Sequence, residues 1–146
     1  MAVFEEAVAL HLRLTMTIER LHGDTELTRA CRGVLRDLAR LGPRTVPQLA
    51  RRRPVSRQTV QVHVDRLVAI GMAELLENPD HARSRLVVLT QAGKAAVEEM
   101  WAQEGRLVEE LPVRASSRLL TQTAGVLREL RQGLESAWPT FEKEMR

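Results

Sequence analysis

The sequence predicts a mainly α fold with a small β-hairpin wing, a winged helix-turn-helix built into one domain of 146 residues. Three observations lead there. Apolar residues recur at three- and four-residue spacing through most of the chain. Two short helical segments, 46–52 and 57–70, are separated only by a break at Pro54 and are followed by two strand-like runs around a polar tip. Positive charge is concentrated in that same middle portion.

The elements follow in order. Residues 3–22 read as a helix, with Phe4, Ala7, His11, Leu14, Ile18 and Leu21 on one side. Val8, Leu10, Leu12 and Met16 make it apolar around most of its girth, so it needs cover on more than one side. Gly23-Asp24 ends it. A second helix is expected over 25–41, capped by Thr25, with Leu27, Cys31, Val34, Leu35, Leu38 and Leu41 inward. Gly42-Pro43 stops it. Thr45 caps the short helix 46–52, whose first turn tolerates Pro47. Ser56 caps 57–70, which faces inward through Val60, Val64, Leu67 and Val68 and ends at Gly71. Residues 72–77 and 84–90 pair as strands around Asn78-Pro79-Asp80-His81-Ala82-Arg83. Thr90 caps a long helix, 91–111, and Pro112 breaks it. A last helix restarts at Ser116 or Ser117 and runs to about Ala137, Pro139 leaving its last turn undecided. Its Leu120, Leu127, Leu134 and Phe141 repeat every seven residues, a seam that asks for a partner helix or for packing within the subunit. Residues 1–28 and 112–146 are thus the dimerisation helices, and 29–111 the winged lobe with its connecting helix.

Composition narrows the function. The core must be aliphatic, since the chain has two Trp, two Phe and no Tyr. One cysteine makes neither an internal disulfide nor a metal cage and suits a reducing cytoplasm. Glu5 and Glu6 stand where a signal peptide would be basic, and no run of roughly 18 apolar residues predicts a membrane span. Residues 29–85 carry twelve Arg against five acids, whereas both flanks are net acidic. A basic centre between acidic ends suits a polyanion, although a solvated Arg-rich surface has the same composition.

The physical reading of the motif is direct. A helix fits the major groove, and its N-terminal residues reach base edges. With Val60, Val64 and Leu67 inward, 100° per residue turns Gln58, Val62, Asp65 and Arg66 outward, with Thr59 and Gln61 on the flanks. Arg57 in the first turn can reach guanine, Gln58 and Gln61 adenine, and Val62 a thymine methyl. Thr45, Ser56 and Thr59 lie at helix starts, where hydroxyls and free N–H groups suit phosphates. Arg51, Arg52 and Arg53 precede the turn and either contact phosphates or simply raise the local potential. Arg83 and Arg85 belong to the wing, which reaches a minor groove.

From Val34-Leu35 through Gly93 the chain resembles the MarR family of transcription regulators. The matching pieces are Val34-Leu35 with Leu38, Thr45-Val46 with Leu49-Ala50, Val64-Asp65-Arg66-Leu67, Gly71, Asn78-Pro79, and Leu89-Thr90 with Gly93. The resemblance implies a homodimer with both termini in its interface. It also implies binding to a palindromic operator in double-stranded DNA, usually as a repressor released by a small aromatic or carboxylate ligand. Family wings usually carry Asp-x-Arg or Asp-Arg-Arg. Here His81 occupies the Asp position and Arg83 inherits the minor-groove role, so His81 either addresses phosphate or is a solvated loop residue. Small ligands of the family sit between the dimer helices and the DNA-binding lobe, where His11, Arg32 and Trp101 are the candidates. A core His11 bonded to a backbone carbonyl is the other reading.

No enzyme motif is present: there is no CxxC, HExxH, GxGxxG, P-loop or GxSxG. No cofactor or metal is expected. His22 with Asp24 and Glu26 reads as a solvated helix end rather than a metal site. Cys31, on an apolar stripe, reads as a structural thiol rather than a peroxide sensor. Two other functions stay open at this point, an architectural DNA-binding protein without an effector and a protein-interaction module that no longer binds DNA.

Overall fold

A computed structural model describes residues 1–23, 27–53, 55–81 and 83–144, with side chains as far as residue 137. The chain divides into two compact units, residues 1–109 and 110–146.

In the first unit the elements run α1 (Ala2–His22), α2 (Arg29–Leu41), β1 (Arg44–Thr45), α3 (Val46–Ala50), α4 (Arg57–Ala69), β2 (Ala73–Leu76), β3 (Leu86–Leu89) and α5 (Gln91–Glu109). The order helix, turn, helix, hairpin is the winged helix-turn-helix expected from the sequence. Its core is aliphatic. Val34, Leu35, Leu49, Val60, Val64, Leu67 and Val87 have no exposed surface. Leu38, Val97 and Met100 close it from α2 and α5. Cys31 lies in the same core, fully buried, its thiol 3.9 Å from the His63 carbonyl oxygen across the α2–α4 contact.

Local chemistry sets the ends. Thr28, rather than Thr25, caps α2, accepting the Cys31 N–H at 3.3 Å. Thr25 lies outside the described residues, as do Asp24 and Glu26. At the start of α3, Thr45 accepts from the Gln48 N–H and donates its own N–H to the Gln48 side chain, a reciprocal cap. That short helix stops at Ala50, and residues 51–53 form a turn. Ser56 caps α4, and Gly71 beyond its end takes φ +73°, which glycine adopts without strain.

The sheet has three strands in the order β1-β3-β2, all antiparallel, pairing Thr45 with Leu86 and Ala73 with Leu89. The hairpin was expected; β1 was not. A two-residue strand has no periodicity of its own and exists only through its pairing with β3. At the base of the hairpin, Thr90 hydroxyl donates to the Gly71 carbonyl at 2.7 Å and accepts the Gly93 N–H at 3.0 Å. Gly93 meets the residue before β2 so closely that a Cβ there would lie 2.0 Å from the Met72 carbonyl oxygen. This contact explains why the helix after the wing begins with glycine in its first turn.

Three helices meet at one carboxylate. Glu104 of α5 accepts from both Nη atoms of Arg36 in α2 and pairs at 3.0 Å with Nε2 of His22 in α1, whose side chain is 6% exposed. Burial pushes the Glu104 carboxyl up, but the hydrogen bonds from Arg36 and His22 outweigh it and hold it below its ordinary value.

The second unit is α6 (Ser117–Glu144), preceded by residues 110–116. It continues as helix through Pro139, beyond the expected end near Ala137.

Two outcomes follow for stability. Gly93→Ala should cost about 1–3 kcal/mol, because backbone rather than a flexible side chain must move, as read by chemical denaturation. Glu104, with its pKa depressed by folding, contributes stability fully above the ordinary carboxylate range and loses it as pH falls through its folded value. Glu104→Gln should therefore lower stability at neutral pH and flatten the fall of melting temperature on acidification.

Candidate nucleic-acid interface

The inner face of α4 fixes its outer face. With Val60, Val64 and Leu67 seated in the core, Arg57, Gln58, Thr59, Val62, Asp65 and Arg66 are exposed, and Val62 keeps 60% of its surface in solvent. Gln61 is half-buried and donates to the Asp65 carboxylate one turn on, at 2.7 Å. At the start of the helix the Ser56 hydroxyl accepts the Thr59 N–H at 3.1 Å and pairs with the Thr59 hydroxyl at 2.8 Å. The outward set holds the residues that the sequence predicts and also Val68, which was expected inward and is exposed.

The wing faces this helix. Its tip is organised by Asn78, which donates to the Ser84 carbonyl at 2.9 Å and accepts the Asp80 N–H at 3.1 Å. His81 and Arg83 are exposed on it. A concave groove of about 710 Å³ runs between the wing tip and the starts of α3 and α4, and Arg44, Gln48, Arg51, Arg57, His81 and Arg83 line it. A second concavity of about 480 Å³ brings Arg57, Gln61, Arg83 and Arg85 together. Base-reading candidates from the helix and cations from the wing thus share one surface.

Four residues assigned from the sequence stand differently. Thr45 lines the groove but is 6% exposed, with its hydroxyl committed to the α3 cap; Arg44 and Gln48, which the sequence did not single out, line the groove beside it. Arg85 donates back to the Leu75 carbonyl across the hairpin. Arg53 turns inward to Asp37 at 2.6 Å. Trp101 is separated from His11 and Arg32. The first lines an apolar cavity of about 470 Å³ with Leu38, Val88, Lys94 and Val97, whereas the other two line a different cleft. Ala82 lies outside the described residues.

That second cleft, also about 470 Å³, is walled by α1 and α2 and closed by Arg53. His11 and Glu19 face Arg29, Arg32 and Arg36 across it. Arg32, 4% exposed, donates to the Leu27 carbonyl at 2.7 Å and places Nη2 3.3 Å from Glu19. The spacing of Arg29, Arg32 and Arg36 was a legible signal: three and four residues apart, they share one face of α2.

A sequence profile described as the MarR family matches residues 25–84, which hold α2, the turn, α4 and the hairpin. The winged helix belongs to the MarR family. A MarR family transcriptional regulator from Silicibacter pomeroyi DSS superposes with a TM-score of 0.73 at 26% identity, covering 91% of this chain and 89% of that one. The structure of Bordetella bronchiseptica BpsR, described with regulation of its DNA binding by 6-hydroxynicotinic acid, shares the fold at a TM-score of 0.68 and 22% identity, over 88% and 92% of the two chains. An uncharacterized protein of Mycobacterium tuberculosis is 52% identical over 54 residues, 37% of this chain. That alignment spans 38% of the mycobacterial protein. The Leu89-Thr90-x-x-Gly93 run of this chain has its physical basis in the close approach of Gly93 to Met72.

Thr45→Ala, which removes half of the reciprocal cap and leaves the groove cations in place, should cost about 1 kcal/mol of stability in denaturant melts.

Proposed function

We propose that this chain is a sequence-specific DNA-binding transcription regulator, a homodimer that represses from a palindromic operator and is released by a small aromatic or carboxylate effector. The observation that carries the reading is the cationic groove between the wing and the start of α4, with Gln58, Gln61 and Val62 turned to the same solvent-facing side. Phosphate contacts from Arg44 and Arg51 set the register of the helix in a major groove. Arg83 enters the neighbouring minor groove. Arg57, Gln58 and Gln61 read base edges.

The dimer is supported by α1, which buries none of its residues within the chain and exposes Val3, Phe4, Val8, Leu10, Leu12 and Met16. Helix α6 by itself exposes Leu120, Leu127, Leu130 and Leu134 along its heptad seam. Apolar faces of this extent mark an interaction surface. A second copy, packed through the terminal helices, sets two recognition helices about one turn of DNA apart. The protein works in the cytoplasm, with the DNA that it reads. The effector is supported by the Arg-rich cleft between α1 and α2 and by the aromatic acid named for the BpsR protein.

On an operator selected from random DNA, Arg83→Ala should weaken binding and reduce the salt slope by about one. Gln61→Ala should instead relax base preference at one position, where a bidentate contact is worth about 1–3 kcal/mol. Competition binding on single-base operator variants separates the two; if both variants rank every sequence as the parent does, the site assignment is wrong. Salicylate should raise the melting temperature of the free protein, and less so for Arg29→Ala. Absence of a shift with any weak aromatic acid counts against the cleft.

A further inference from the structure

Arg53 belongs to the turn that introduces the recognition helix, three residues before the Ser56 cap, and yet its side chain points away from the DNA face. The guanidinium crosses to α2, where Nη2 donates to Asp37 at 2.6 Å. It lies so close over Gly33 that a Cβ there would be 2.6 Å from Nη1. Its Nε–H is buried without a hydrogen-bond acceptor. Arg53, like the Gly33 that its guanidinium overlies, forms part of the wall of the α1–α2 cleft, to which Asp37 does not contribute. One charged group thus touches both the cleft and the segment that holds α4.

We infer that the Arg53–Asp37 pair is the relay by which occupancy of the cleft is read at the recognition helix. The inference rests on the proposal that the cleft takes an organic anion. Such an anion offers Arg53 a second carboxylate, in competition with Asp37. The unfilled Nε–H gives the guanidinium a donor that its present position leaves unmatched, so moving toward a new acceptor forfeits only the Asp37 bond. When that bond goes, the turn 51–53 loses its side-chain tie to α2, and the start of α4 is no longer held at one angle. Arg53 acts here as a positioning residue rather than as a phosphate contact. Gly33 is needed because any side chain would lift the guanidinium off the helix.

Linkage makes the test specific. If anion and Asp37 compete for Arg53, removing the Asp37 charge must tighten anion binding while uncoupling it from DNA. A merely structural ion pair predicts lower stability and no gain in anion affinity. Salicylate is titrated calorimetrically into the full-length protein, and operator affinity is measured by anisotropy with and without saturating salicylate. Wild type should lose operator affinity by about fivefold or more when salicylate is present, the low end of ordinary allosteric coupling. Asp37→Asn should bind salicylate several-fold more tightly, start from weaker operator binding, and show little further loss. Asp37→Glu, which keeps the charge, should respond as wild type does. Gly33→Ala, which leaves every charge in place, should also lose the response, and it decides the matter if Asp37→Asn does not fold. Salicylate affinity and response in Asp37→Asn equal to wild type would overturn the relay while leaving the cleft intact. No salicylate binding by wild type would overturn the cleft reading itself, and the relay with it.

Discussion

The seating of α4 on α2 is the contact on which the rest depends. Val60, Val64 and Leu67 are fully buried against Val34, Leu35 and Leu49, with the Cys31 thiol in the same layer. Fully burying a Val or Leu side chain contributes about 1.5–3 kcal/mol, so this face fixes the rotation of the helix firmly. Once that rotation is set, the identity of the outward residues follows without choice. Ser56 and Gly71 then fix where the helix begins and ends, and the hairpin at its C-terminal end places the wing beside it.

Electrostatics divides the basic middle of the chain in two. Three of the four arginines of α2 are matched by acids from neighbouring helices: Arg29 and Arg32 by Glu19, and Arg36 by Glu104. Arg53 is matched by Asp37. The remaining arginines of this segment are Arg40 on α2, Arg44 on β1, Arg51 and Arg52 in the turn, Arg57 and Arg66 on α4, and Arg83 and Arg85 on the wing. Net charge by segment shows only a basic centre. Seven of these eight arginines belong to β1, the turn, α4 and the wing, an arrangement suited to drawing a polyanion to those elements.

The outward face of α4, its Ser56 cap, the hairpin and the Thr90 start of α5 were all legible in the sequence, because periodicity, capping residues and turn residues are local signals. What was not legible depends on contacts distant in sequence. Strand β1 exists only by pairing with β3. Thr28 and Thr25 are equivalent as cap residues until the first turn of α2 is placed. Composition tells that Arg53 is charged, not that it turns toward Asp37. Thr45 satisfies the rule for a helix-start hydroxyl, yet it is buried by the strand it joins. Trp101 and Arg32 line different cavities, each walled in part by α2, and helical spacing cannot say which side of a neighbour a residue reaches.

The central claim is that the groove between wing and recognition helix selects a DNA sequence. Its most direct test is fluorescence anisotropy of the purified protein on DNA from its own upstream region against scrambled DNA, from low to moderate salt. The account predicts selective binding whose affinity falls steeply as salt rises, because several arginines displace counterions from phosphates. Equal, weak binding to both sequences would contradict sequence selection, and no binding to either at low salt would contradict the nucleic-acid interface altogether.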